Sequence, residues 1–392
     1  MKIVIVGHVD HGKSTLIGRL LLDTHSLSKE KLAEIKKASK DLGKDTELAF
    51  LTDQLKEERA RNITMDTTEI QFKTKKRRYV IIDAPGHLEF VKNMLSGATS
   101  AEAAVLVIDA QEGIREQTKR HSYLIHFIGL RKLIVVINKM DLVHYSEEKF
   151  LALKKEYLLF AKELGLDPTQ AIAISAKEGK NIPEVLKALD SLKEEGPAPV
   201  RPVRFPVQDV YSRNGKTIVV GKVAAGVLKQ NQTLEVRPCG TRVVVREIKS
   251  LSGDAVEASA DQNIGLLFQT EAILKRGDIL CDEKFLPKIV KKFTAHVFWL
   301  AQTPMTVGET YLLRSSTQES KVHIAKILNR MNSSTLEILE KESRSLRPNE
   351  AAEVEFICQS PLVIEQFGFI EEFGRFVLDK EFETLGFGLV TE

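Results

Sequence analysis

Gly7-His8-Val9-Asp10-His11-Gly12-Lys13-Ser14-Thr15 sets two glycines, a lysine and a pair of hydroxyls in the spacing GxxxxGK[ST]. That spacing suits phosphate. Glycines let backbone N–H groups close around phosphate oxygens without side-chain collision. A helix beginning after Gly12 directs its positive end at the same anion. Lys13 has the reach for β- and γ-phosphates, and the Ser14 hydroxyl suits Mg²⁺. The motif follows the apolar run 3–6 and precedes the amphipathic run 15–22, which is the strand–loop–helix setting that gives it meaning. Three further clusters match it. Asp83-Ala84-Pro85-Gly86 follows the apolar run 79–82. A carboxylate there can hold Mg²⁺ through water, and the Gly86 N–H can approach the γ-phosphate. Asn138-Lys139-Met140-Asp141 follows the run 133–137. The Asp141 carboxylate can accept two N–H bonds from a guanine edge, a donor pair that adenine lacks, so ATP can be rejected. Ser175-Ala176-Lys177 follows the run 171–174 and can complete the base pocket through backbone N–H groups.

These clusters need a frame. The runs 3–6, 79–82, 104–108, 133–137 and 171–174 are rich in valine and isoleucine, as strands buried on both faces are. Helical patterns at 88–98, 115–127, 147–164 and 182–192 lie between or after them. The alternation predicts a doubly wound, mostly parallel sheet with helices on both faces. Ligands bind such sheets at the carboxyl ends of the strands, and all four clusters fall there. The charged segment 26–58 reads as a solvated helical pair.

Near residue 197 the pattern changes. Pro197, Pro199, Pro202 and Pro206 are four of the 12 prolines, and they predict a stiff linker. Beyond it, strand-like runs at 217–223, 233–236, 242–248, 293–299, 309–313, 322–327 and 352–357 replace helical periodicity, a barrel-like rhythm. The expected architecture is an α/β P-loop GTPase domain over 1–196, a proline-rich linker over 197–204, and two β-barrel domains over 205–286 and 287–392.

The 392 residues carry 57 Lys and Arg against 54 Asp and Glu, a net charge of +3. This balance excludes a bulk polybasic protein and leaves local basic faces open. Cys239, Cys281 and Cys358 are too scattered for a thiolate zinc site or a disulfide framework, which favours a reducing compartment. No apolar run nears the roughly 18 residues of a membrane span, and residues 1–6 read as a strand rather than a signal peptide. A cytoplasmic protein without membrane contact is expected. Lys75-Lys76-Arg77-Arg78 and the group Lys288, Lys291 and Lys292 could meet RNA phosphates; the sequence favours solvated loop or strand ends for both.

GHVDHGKST, DAPGH and NKMD resemble the signatures of translation-factor-type GTPases, and the resemblance covers the whole chain, because that family also has a G domain followed by two barrels. It implies GTP and GDP as ligands, Mg²⁺ as the metal and hydrolysis of GTP to GDP and phosphate. It further implies that Thr64, in Arg61-Asn62-Ile63-Thr64, closes over Mg²⁺ and the γ-phosphate together with Ser14 and Asp83. His87 would position the attacking water, with Val9 and Ile63 as a hydrophobic gate beside it, so Lys13, Thr64 and His87 are the expected catalytic residues. Asn62 stands where the family has glycine and Ala84 where it has threonine. The segment 26–58 with TDQLKEER resembles a branch that holds the archaeal and eukaryotic elongation factor, the release-factor GTPases and the large subunit of bacterial sulfate adenylyltransferase. EQTKRHS at 116–122, NKMDLVHYSEE at 138–148, Phe298-Trp299-Leu300, Pro304-Met305, Tyr311 and Gly386-Phe387-Gly388 are similar to the last of these. The leading expectation is therefore the GTPase subunit of a sulfate-activating enzyme. Its partner would be a small ATP-pyrophosphatase-type sulfate adenylyltransferase subunit making adenosine 5′-phosphosulfate. The alternative is an elongation-factor-type GTPase with aminoacyl-tRNA and the ribosome as partners.

Overall fold

A computed structural model describes residues 1–27, 69–82, 101–192, 201–213, 216–250, 253–269, 273–335, 337–381 and 383–391. The chain divides into two compact units, Met1–Gly196 and Pro197–Glu392.

In the first unit the apolar runs become strands and the amphipathic runs helices. The order is β1 (Lys2–Gly7), α1 (Lys13–Asp23), β2 (Glu69–Lys73), β3 (Arg78–Ile82), β4 (Ala103–Asp109), α2 (Glu116–Phe127), β5 (Leu133–Asn138), α3 (Glu147–Glu163), β6 (Gln170–Ala173) and α4 (Ile182–Ser191). They build one sheet in the order β2-β3-β1-β4-β5-β6. Five strands run parallel, and β2 runs antiparallel to β3. Every residue of β4 and β5 is buried, which is why these strands read as unbroken apolar runs. α1 buries Leu16, Ile17, Leu20 and Leu21 on one stripe, and they join residues of β1, β4 and α4 in one core. The edge strand β2 was not expected. Its Ile70 and Phe72 are buried while Gln71 and Lys73 are exposed, a period-two pattern too short to stand out. β1 lies between β3 and β4, where the winding reverses, so the loop after it opens into the crevice where such sheets bind ligands.

The second unit holds two closed antiparallel rings. The first runs Thr233–Arg237, Ile279–Asp282, Arg204–Arg213, Lys216–Lys222, Asn263–Phe268 and Thr241–Ser250, which pairs back with the first strand. The second runs Thr310–Ser315, Arg375–Lys380, Glu383–Val390, Lys288–Trp299, Glu350–Ile364 and Gln318–Asn332, closed in the same way. Closure removes the exposed strand edges that promote aggregation. Arg204, expected at the end of the linker, instead opens a barrel strand. Its guanidinium is buried and pairs in bidentate fashion with Glu365 of the other barrel at 2.8 and 3.1 Å. Around it Ala225, Ile279 and Cys281 of one barrel pack on Val363, Ile370 and Phe373 of the other. No helix among the described residues is long and apolar enough to cross a membrane.

Candidate functional site

Gly7 ends β1, and residues 8–12 lead into α1. Gly12 sits at φ +88°, in the left-handed region open to glycine. Space makes the same demand: a Cβ on Gly7 would meet the Val107 carbonyl of β4, and one on Gly12 would meet Nδ2 of Asn138. Gly12 caps α1 without a side-chain hydrogen bond, and no acid stands in the first turn. A helix start capped by glycine, with no acid beside it, is open to an anion. Lys13 Nζ donates to the Gly7 carbonyl at 2.9 Å and to the His8 carbonyl at 2.7 Å, which fixes the ammonium against the loop. Ser14 and Thr15 follow on the first turn, each half-buried. His8 Nδ1 bonds the Gln117 side chain of α2, and the Val9 side chain is exposed. His11 is buried under the loop with Nδ1 3.1 Å from the Val107 carbonyl. Burial pushes its imidazole below the ordinary value, against the opposing pull of that carbonyl and of Asp109 and Glu112.

Asn138 links the loops of the site. Its Nδ2 donates to the His11 carbonyl at 2.9 Å and its Oδ1 accepts the Ala176 N–H at 3.0 Å. One buried amide thus ties the phosphate loop to the loops after β5 and β6. Lys139, at a positive φ of 60°, pairs with Asp109 at 2.7 Å. Asp109 also accepts the N–H groups of Gln111 and Glu112 at 2.7 and 3.2 Å. Burial works against its charge, yet the Lys139 hydrogen bond, those two N–H groups and the Lys139 charge together hold its carboxyl below the ordinary value. Sequence reasoning missed Asp109; the signal was an acid closing the wholly apolar run before it, at the same sheet edge as the four clusters.

Asp141 carries the clearest sign of a ligand. Its Oδ1 is shut off from solvent with no hydrogen-bond partner among the described residues. Orphaned buried acceptors are costly, and this one has room for an N–H donor from a ligand. Beside it, the Ser175 hydroxyl accepts the Glu178 N–H at 3.1 Å, which shapes the turn holding Ala176 and the exposed Lys177. Tyr145 and Lys180 brace the same place: Lys180 Nζ lies 3.4 Å from the centre of the Tyr145 ring, and the Tyr145 hydroxyl bonds Glu178. Neither residue was singled out from sequence. Asn62, Ile63, Thr64, Asp83, Ala84, Gly86 and His87 lie outside the described residues, as do residues 28–58 of the charged segment and the expected helix 88–98. Ser14 is thus the one expected metal donor that is described, a hard hydroxyl oxygen of the kind Mg²⁺ takes. Among the described residues no group of three or more His, Cys, Asp or Glu could hold a metal.

Residues 1–195 match the family model of the elongation factor Tu GTP binding domain, and residues 292–391 match the GTP-eEF1A C-terminal domain-like family. The elongation factor 1-alpha of Methanothermobacter thermautotrophicus is 37% identical over 410 residues, covering 99% of this chain and 96% of that protein. The chain belongs to the elongation factor Tu/1-alpha family of GTPases. Within this family, the elongation factors 1-alpha of Metallosphaera sedula and Thermococcus kodakarensis are 35% and 36% identical, each over 100% of this chain and 97% of the relative. Membership makes GTP and GDP its ligands and GTP hydrolysis its activity. The same relatives overturn the expected sulfate-activating subunit and its small ATP-pyrophosphatase-type partner, since these full-length matches are named elongation factor 1-alpha. Several of the segments that suggested sulfate activation hold packing features. Trp299 is fully buried with Tyr311 against it at 5.4 Å between rings, and Phe298 stacks on Phe387 at 5.4 Å. A Cβ on Gly386 would strike Trp299. On α2, Glu116 pairs with Arg120, and the Ser122 hydroxyl bonds the Thr118 carbonyl and Tyr157. Residues that fill a barrel or seat a helix report the fold and carry no information about a substrate.

Proposed function

We propose that this chain is a translation elongation-factor-type GTPase that carries aminoacyl-tRNA to the ribosome in its GTP form, in the cytoplasm. The observation that carries the reading is similarity to elongation factors 1-alpha through both barrels as well as the G domain, 35% over 100% of the chain in one relative. In this reading Gly7, His8, Val9, Asp10, His11, Gly12, Lys13, Ser14 and Thr15 surround the phosphates. Lys13 and the loop N–H groups offset charge developing on the γ-phosphoryl group, the main task in phosphoryl transfer. Asp141 reads guanine, with Lys139, Ser175, Ala176 and Lys177 around the base and Asn138 holding their loops in register. Ser14, Thr64 and Asp83 would hold Mg²⁺, which when bound would neutralise charge on the phosphates. His87 aligns the attacking water, behind a gate of Val9 and Ile63, and Gly86 offers its N–H to the γ-phosphate. Loss of that phosphate releases the segments it held, and the tRNA with them.

The test is protection of the aminoacyl ester. The full chain with GTP shields aminoacyl-tRNA from spontaneous hydrolysis, and with GDP it does not. Equal protection by both forms, or none by either, sinks the carrier reading. His87→Ala lowers single-turnover GTP hydrolysis on the order of 10²-fold or more with GDP affinity unchanged. Undiminished turnover removes the histidine from the mechanism.

A further inference from the structure

One concentration of charge has no part in the nucleotide site. Lys73, Lys75, Lys76, Arg77 and Arg78 stand on the hairpin that joins β2 to β3, five cations in a chain whose whole net charge is +3. The hairpin lies at the amino-terminal edge of the parallel strands, where the Met1 amine donates to the Arg78 carbonyl at 3.1 Å. The nucleotide loops leave the opposite edge. The 6 residues of β1 separate the two edges, about 20 Å at roughly 3.3 Å per residue. Arg131 and Lys132, just before β5, reach the same edge, since the Ala104 N–H at the start of β4 donates to the Lys132 carbonyl.

Lys73, Lys75, Lys76 and Arg78 are exposed, and none joins an ion pair among the described residues. The nearby acids are engaged elsewhere. Glu102 takes the Lys2 N–H at 2.8 Å and faces the Met1 amine at 3.7 Å. Asp190 bonds the hydroxyls of Thr74 and Tyr79, both at 2.8 Å. The turn is pre-ordered: the Thr74 N–H bonds the Arg77 carbonyl at 2.9 Å, and the Thr74 hydroxyl accepts the N–H groups of Lys76 and Arg77 at 3.2 Å. Phe72 stacks on Tyr79 beneath it at 4.9 Å. A partner therefore meets cations on a backbone already in place, which lowers the entropic cost of binding.

The chemistry of the partner follows from what the tip lacks. Ile70, Phe72, Tyr79 and Ile81 all turn into the core. Protein interfaces are anchored by large apolar or aromatic side chains, and stable membrane anchoring adds inserted apolar groups to a basic patch. A phosphate backbone needs cations alone. We infer that the hairpin at residues 73–78 is a second RNA-contact surface, gripping the phosphates of an RNA duplex at the pole of the G domain remote from GTP. The choice of RNA over other polyphosphates rests on the carrier reading.

The test is fluorescence anisotropy of a labelled RNA duplex with the full, GDP-bound chain from about 50 to about 200 mM salt. For four phosphate contacts, wild-type affinity falls on the order of 10²-fold across that range. The variant Lys73→Gln/Lys75→Gln/Lys76→Gln/Arg78→Gln binds at least tenfold more weakly at low salt with a flattened salt slope. Its GDP affinity and basal GTP hydrolysis match wild type, which shows that it is folded. Lys149→Gln/Lys154→Gln/Lys155→Gln/Lys162→Gln on α3 removes equal charge elsewhere and leaves binding intact. Wild-type-like binding by the hairpin variant, equal loss in the α3 variant, no duplex binding at all, or tighter binding of anionic vesicles or of a DNA duplex each overturns the surface. Wild-type duplex binding without ester protection keeps the surface and sinks the carrier reading; protection without duplex binding does the reverse.

Discussion

At Asp141 a buried acceptor has no donor among the described residues, and in the proposed reading guanine supplies the donors. Asp141→Asn exchanges one acceptor for a donor amide, so preference moves toward xanthine nucleotides. GDP affinity drops about 10²-fold or more while XDP gains, because a buried polar mismatch is heavily penalised. Competition binding reads this, and retained GDP preference removes Asp141 from the pocket. Asn138→Ala strands the His11 carbonyl and the Ala176 N–H, each a loss of about 1–3 kcal/mol. GDP release in stopped flow accelerates on the order of 10²-fold as the two loops part; an unchanged release rate contradicts the brace. His11 makes a pH prediction. Burial lowers its folded value below the ordinary 6.5, so the unfolded chain binds the proton first. Stability is complete above about 6.5 and is lost as pH falls below it toward the folded value. Melting of the first unit should fall through that window in wild type and lose this slope in His11→Gln.

At the scale of elements, legibility followed burial. β1, β4 and β5 are covered on both faces and show as apolar runs rich in valine and isoleucine. β2 is an edge strand with one wet face and was missed, although its hairpin carries the charge with most to say about a partner. The strand Arg204–Arg213 was hidden by Pro206, which composition assigned to a linker. The structure seats Pro206 opposite Ile279 in the ladder; a proline is tolerated in a strand where no donor is needed. The buried pair of Arg204 and Glu365 is a bidentate polar link between the barrels. Arg204→Met leaves a buried carboxylate unpaired and costs about 3–5 kcal/mol. Arg204→Met/Glu365→Met recovers most of that loss, because an apolar pair replaces the ions. Thermal melts compare the two, and equal destabilisation refutes the pairing argument.

Over the whole molecule, the sheet unit and the barrel unit each have their own core. Calorimetry of the full chain should show two transitions, with GDP raising the one that belongs to Met1–Gly196, since a ligand stabilises the state that binds it. A single transition shifted as a block by GDP contradicts separate cores. The GTPase family was legible in the sequence, because its signatures are written in residues a few positions apart. The branch of the family was not: Phe298, Trp299, Tyr311 and Gly386, among the residues used to choose it, answer to packing. Only tertiary structure decided what Asn138 does, since its amide reaches His11 across 127 positions. The same holds for Arg204 and Glu365, 161 apart, and for the basic hairpin, whose meaning depends on the sheet edge where it lies. Spacing along the chain specifies local chemistry; partners chosen across the fold are set by which strands become neighbours.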